Sequence, residues 1–308
     1  MKRKRGLPRW VGAVGVAGSV VAALLGPATT ASAGGAGEEL SPGTGFGVSI
    51  TSNVLDWGHV PAWADVNGDG RADYCRRVSD VNLQSSRVSC TLSTGTGFGA
   101  TITSGIVDWG YDSGRAWVDA NADGKADYCR RVGNVNLQSS RVSCTLSTGT
   151  GFGATITSGI VDWGHVPAWA DANGDGRADY CRRVGNVNLQ SSRVSCTLST
   201  GTGFGATITS SVLDWGYEAG TAWADANGDG KADYCRPVGS VNLQSSYVQC
   251  TLSTGTGFGA TITSNVLDWG HETGRAWVDV NADGKADYCR RVGDVNLRSS
   301  RVRCTLST

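Results

Sequence analysis

The chain has 308 residues, 40% of them hydrophobic, with 45 glycines, 10 cysteines and one methionine, which suits a turn-rich fold and not a helical bundle. Its 27 basic and 27 acidic residues balance. Removing the five basic residues within positions 1–33 leaves 22 against 27, a formal charge of −5, which argues against phosphate-backbone binding and hence against a nucleic-acid partner.

Residues 1–33 read as a signal peptide. Lys2, Arg3, Lys4, Arg5 and Arg9 form a basic start, residues 11–26 are apolar and small, and Ala31-Ser32-Ala33 is a small-residue cleavage site. The chain is therefore expected to be secreted and extracellular, with no membrane span after residue 33. Residues 34–42 are a short polar lead.

From residue 43 the sequence repeats itself. GTGFG recurs at 43, 95, 149, 201 and 255, giving units 43–94, 95–148, 149–200, 201–254 and 255–308. Unit lengths differ at one place only, after the DWG tripeptide, as expected of a surface loop. Short β-branched and aromatic runs alternate with glycine-rich turns, and no 3.6-residue periodicity is sustained. In the second unit this predicts strands near 98–103, 116–120, 126–132 and 141–147. Four short strands per unit make an all-β chain and match one blade of a propeller. With the strands ordered AWADA, ADYCRRV, RVSCTLS and GFGATIT, the N-terminal GFGVSIT (45–51) supplies the last strand of the fifth blade. The expectation is thus a closed, five-bladed β-propeller of four-stranded blades.

Each unit carries one acidic loop: DVNGDGRADYC at 65, with near-copies at 119, 171, 225 and 279. Positions 1, 3, 5 and 9 are Asp65, Asn67, Asp69 and Asp73 in the first copy. The later copies place Asp119, Asn121, Asp123 and Asp127; Asp171, Asn173, Asp175 and Asp179; Asp225, Asn227, Asp229 and Asp233; and Asp279, Asn281, Asp283 and Asp287. Alternate side chains converge when the backbone curls, the glycine at position 6 permits the curl, and grouped hard oxygens select calcium, about one Ca2+ per repeat. The sequence NGDG is also simply a good turn. An EF-hand does not fit, because position 12 is Arg76 and not glutamate.

The loop, followed by a strand and a STGTGFG segment, resembles the FG-GAP or VCBS-type repeat of integrin α-subunit headpieces and many secreted bacterial proteins. The resemblance covers residues 43–308. It implies propeller blades with calcium in the DxNxDGxxD loop, although the family's familiar propellers have seven blades where this chain has five units.

Each unit also holds a C-x14-C pair: Cys75 and Cys90, Cys129 and Cys144, Cys181 and Cys196, Cys235 and Cys250, Cys289 and Cys304. In an exported chain, with no C-x-x-C and three histidines, these read as disulfides across neighbouring strands. If Cys75 faces Cys90, then Val78 faces Arg87. The paired arginines beside them, such as Arg76-Arg77, read as a solvated surface.

Two tryptophans recur per unit, and packing between units accounts for both. A sharper reading has the DWG tryptophan and the residue after its glycine lining five equivalent sugar sites: Trp57 and His59, Trp109 and Tyr111, Trp163 and His165, Trp215 and Tyr217, Trp269 and His271. No catalytic motif stands out. The functional expectation is a non-enzymatic, calcium-binding, multivalent carbohydrate-binding (lectin-like) module whose partner is an extracellular glycan; the alternative is an adhesion module for a cell-surface protein.

Overall fold

The computed structural model describes residues 48–55, 58–79, 85–107, 110–133, 139–161, 164–185, 191–214, 216–239, 246–268, 270–271, 273–293 and 299–308. The expected signal peptide and lead lie outside them.

All regular structure here is β. The first sheet holds β1 (His59–Ala64), β2 (Asp73–Val78), β3 (Arg87–Ser93) and β4 (Phe98–Thr103). The second holds β5 (Ala116–Val118), β6 (Asp127–Val132), β7 (Arg141–Ser147) and β8 (Phe152–Thr157). The third holds β9 (His165–Ala170), β10 (Asp179–Val184), β11 (Arg193–Ser199) and β12 (Phe204–Thr209). The fourth holds β13 (Ala222–Ala224), β14 (Asp233–Val238), β15 (Tyr247–Ser253) and β16 (Phe258–Thr263). The fifth has three strands, β17 (Ala276–Val278), β18 (Asp287–Val292) and β19 (Arg301–Thr305).

Within each sheet, strands consecutive in sequence pair antiparallel. The β3–β4 turn closes through Thr94 N–H donating to Gly97 O at 3.0 Å. Valine, threonine, isoleucine and tyrosine fill the strands and favour this pleated backbone. Register follows the cysteines: Cys75 faces Cys90 and Val78 faces Arg87. The other four sheets keep this register, with Tyr247 in place of arginine opposite Val238 in the fourth, and all five cysteine pairs are disulfides.

The propeller expectation is overturned. Among the described residues the chain forms five separate antiparallel sheets, none closed or curled into a propeller. Residues 48–51 of the expected closing strand lie in no strand, and Val48 is 94% exposed. The physical reason is locality. The FGATIT segments of the first four sheets each follow their own hairpin by one turn, whereas the N-terminal copy would have to pair with the far end of the repeat array and meet a larger loop-closure entropy.

The two faces of each sheet differ. One carries the disulfide with Val88 and Ile102 in the first sheet; the other carries Trp63, Tyr74 and Phe98. In the first four sheets the disulfide face packs against the aromatic face of the next sheet. Ala64, Val66, Cys75, Cys90 and Ile102 meet Trp117 and Phe152, and Val88 meets Tyr128. The junction repeats with Trp169 and Phe204, with Trp223 and Phe258, and with Trp277.

Hydrogen bonds fix each junction. Ala126 N–H donates to Asp65 O at 2.8 Å, and Ala178, Ala232 and Ala286 repeat the bond to Asp119, Asp171 and Asp225. Ser147 Oγ adds a bond to Val66 O at 2.5 Å, and Ser199 and Ser253 do the same at Ala120 and Ala172.

Candidate functional site

The acidic loop joins the first two strands of every sheet, and its shape comes from its own side chains. Asp65 Oδ1 accepts from Gly68 N–H at 2.8 Å and Asp69 N–H at 3.2 Å, and Asp65 Oδ2 accepts from Gly70 N–H at 2.7 Å. Asn67 Oδ1 accepts from Asp69 N–H, while Asn67 Nδ2 donates to Asp69 Oδ2 at 2.8 Å. Gly70 sits at φ 80°, where any side chain is strained, and its counterparts Gly124, Gly176, Gly230 and Gly284 lie at 78–84°.

Positions 5 and 9 behave differently. Asp69 is paired by Arg71 Nη2 at 2.5 Å, and Asp123, Asp175 and Asp229 by Lys125, Arg177 and Lys231. Against desolvation, which pushes upward, the hydrogen bonds from Asn67 and Arg71 and the Arg71 charge hold the Asp69 carboxyl below its ordinary value. Asp73 is fully buried and spans the loop's base: Oδ2 accepts from Val66 N–H at 3.1 Å and Oδ1 from Ser93 N–H at 2.8 Å.

The counterparts Asp127, Asp179, Asp233 and Asp287 make the same two bonds. Burial pushes Asp127 and Asp179 up to about 7 and Asp233 to about 6. The backbone bonds oppose that rise, and the charges at positions 5 and 1 add to it.

The expectation of a preassembled metal centre is corrected. Among the described residues no three His, Cys, Asp or Glu side chains are grouped so as to hold a metal ion. The carboxylates are directed elsewhere: position 1 caps the loop's own amides, position 5 turns to the basic residue at position 7, and position 9 ties two strands. The donor types alone, carboxylate and amide oxygens on one loop, are those that hard cations such as calcium take.

The expected sugar pockets are described only in part. Trp57, Trp109, Trp163, Trp215 and Trp269 lie outside the described residues. His59 and His165 sit on β1 and β9, opposite Arg77 and Arg183. Tyr111 Oη donates to Gly133 O at 2.9 Å and Tyr217 Oη to Gly239 O at 3.0 Å. His271 Nε2 lies 2.7 Å from Gly293 O. These side chains brace the end of their own sheet's second strand.

The paired arginines are not the solvated surface that their charge suggests. Arg76, Arg130, Arg182, Arg236 and Arg290 are at most 2% exposed, and each lies over a tyrosine ring of its own strand, 5.3–5.7 Å from the centroid. Each also donates to a threonine on the next strand, as Arg130 Nη1 does to Thr145 Oγ1 at 3.0 Å. The spacing Tyr-x-Arg carries the information, since residues two apart share a strand face. Arg77 and Arg183 instead reach the following repeat, to Asp112 at 3.6 Å and Glu218 at 3.1 Å. Burial pushes Arg77 down to about 10.

No protein-family model matches the chain. Over 141 residues it is 29% identical to the NAD(+)–arginine ADP-ribosyltransferase Chelt of Vibrio cholerae, covering 44% of this chain and 23% of that protein. Two solved structures are alike at low level. The Photorhabdus luminescens Tc holotoxin pore has 16% identity and a TM-score of 0.40, with 80% of this chain and 14% of that one covered. The V. cholerae biofilm matrix protein Bap1 has 14% identity and a TM-score of 0.24, with 78% and 47% covered.

The match to Chelt overturns the expectation of a non-enzymatic, lectin-like module, because the relative found is an enzyme. That expectation rested on missing catalytic motifs and on tryptophans of which the structure describes none. The chain spans about a quarter of the relative's length, 23%.

Proposed function

We propose that this chain is an exported repeat protein whose acidic loops each take up one calcium ion. The observation that carries this reading is the buried carboxylate at position 9: Asp127 is 0% exposed and accepts from the Ala120 and Ser147 N–H groups, with the Asp119 and Asp123 carboxylates in the same loop. A hard divalent cation supplies the missing positive charge, with oxygens at positions 1, 3, 5 and 9 as the available donors. The resemblance of the loop to FG-GAP and VCBS-type calcium loops supports the same reading. Five disulfides suit an oxidising compartment, and no helix among the described residues is long and apolar enough to cross a membrane.

The test is a count of bound calcium on chain cut after Ala33, with thermal unfolding in calcium and in excess chelator. The expected result is roughly five ions per chain and a melting temperature that falls on chelation. No bound calcium with an unchanged transition overturns the proposal.

A second reading, favoured by the match to Chelt, is that the chain takes part in ADP-ribosyl transfer from NAD to arginine. Release of nicotinamide from NAD, dependent on a small guanidine acceptor, supports it. No release above the blank at high protein concentration removes it, and calcium uptake is measured independently of either result.

A further inference from the structure

The two ends of the sheet array are counterparts of each other. Among the described residues no sheet precedes the first sheet's aromatic face, and Trp63 is 58% exposed, whereas Trp277, seated on the fourth sheet's disulfide face, is 8% exposed. At the fifth sheet the opposite face is uncovered. Val302 is 75% exposed, while Val88, Val142, Val194 and Val248 at the same position are at most 8%. Val280 is 50% exposed, against 0–1% for Val66, Ala120, Ala172 and Ala226.

A strand position is open at the same end. In the first four sheets an FGATIT strand lies along the third strand, with Thr103 opposite Ser89, Ile102 opposite Cys90 and Thr101 opposite Thr91. Among the described residues the fifth sheet has no such strand, and β19 lies at its edge. One effect reaches the fourth sheet: Ile262 is 40% exposed, where Ile102, Ile156 and Ile208 are 6–8% exposed beneath Phe152, Phe204 and Phe258 of the next sheet. Meanwhile Val48, Ser49, Ile50 and Thr51, in the sequence place of Ala100 to Thr103, lie exposed in no strand.

We propose that a second copy of this chain docks head to tail on the fifth sheet, with its residues 48–51 paired along β19 and its first sheet's aromatic face on Val302 and Val280. The occupant follows from the four junctions inside each chain, where this disulfide face receives this aromatic face from a nearly identical repeat. The register carries over: Thr51 faces Arg303, Ile50 faces Cys304 and Ser49 faces Thr305. The contact is heterologous, so it joins unlike faces and leaves a free end for another copy unless the assembly closes. An open β edge and an apolar face are covered in one step.

The test uses three cysteine variants of the mature chain, Thr51→Cys, Arg303→Cys and the double variant, with the native disulfides mapped by mass spectrometry. Mixing the two single variants under oxidant is expected to yield a cross-linked heterodimer joined at 51 and 303. The wild type is expected to gain mass with concentration in sedimentation. Val302→Asp, at a site exposed in the single chain, is expected to weaken association at least tenfold while leaving circular dichroism unchanged. A chain that stays monomeric at every concentration, with no mixed cross-link, overturns the proposal. So does a double variant that cross-links only within itself at monomer mass, which would mean that residues 48–51 pair with their own chain.

Discussion

The third and fifth sheets have nearly the same sequence and different surroundings. Val194, Cys181 and Cys196 are at most 1% exposed in the third sheet; in the fifth, Val302 is 75% exposed and Cys289 is 7% exposed. Strand register and disulfide are the same in both. Local sequence therefore builds the sheet, and the neighbouring repeat decides what is buried. Interior sheets are sandwiched and the end sheets are half-covered, which is how repeat arrays divide stability between units and their interfaces.

The strongest way to break this comparison is to remove the aromatic that fills a junction. Trp277→Ala deletes a buried ring whose Nε1–H donates to Gly220 O at 2.9 Å. It is expected to cost about 3–5 kcal/mol in urea unfolding, as large core truncations do. Trp63→Ala, at a half-exposed position, is expected to cost less than about half as much. Equal losses at the two sites would mean that the junctions do not carry the stability assigned to them.

The disulfides sharpen the same contrast, because every pair spans 15 residues and the chain-entropy contribution is the same for each, about 3 kcal/mol. Any difference between sites must come from packing. Replacing Cys129 and Cys144 by alanine is expected to cost more than replacing Cys289 and Cys304, since only the first pair sits beneath the aromatics of a following sheet. Differential calorimetry of the two double variants reads that excess directly.

A third variant separates the strut from the loop. Asp127→Asn keeps the volume and one acceptor oxygen but places an NH2 where the carboxylate accepts from Ala120 or Ser147 N–H. Leaving a buried donor unmatched is expected to cost about 1–3 kcal/mol in chelator, and more in calcium, where the substitution also weakens the proposed donor set. Asp123→Asn, on the exposed side of the same loop, is expected to leave chelated protein nearly unchanged while lowering its calcium uptake.

Much of this is legible in the sequence, for reasons that differ by residue. The strands, the hairpin register and the cysteine pairing follow from alternation and tight turns, which act over a few residues and recur five times. Whether the ring closes is not legible, because pairing residues 45–51 with β19 depends on a contact between distant parts of the chain, which no local pattern reports. The buried arginines escape any reading that equates charge with exposure, although Tyr74 and Arg76 alternate onto one face and meet Thr91 across the strand. In the loops the residue types are evident from sequence, but their division between capping, pairing and strut roles requires coordinates.

The smallest effect lies in the loops themselves, where the repeats differ at position 4. Gly68, Gly174 and Gly228 occupy it at φ 75–76°, and Ala122 and Ala282 at φ 61°. A side chain in the left-handed region costs roughly 1 kcal/mol, while glycine gives up more freedom on folding, so the two terms partly cancel. Ala122→Gly is expected to stabilise the second loop by about 0.5 kcal/mol or less, and Gly68→Ala to destabilise the first by about 1 kcal/mol, since its Cβ would also stand 3.3 Å from the Lys125 side chain of the next repeat. Amide exchange at Gly70 and Gly124 measures each loop by itself. If both substitutions shift exchange in the same direction, the neighbouring repeat, and not the backbone angle, governs the loop, and the rule drawn from the sheets extends to the acidic loops as well.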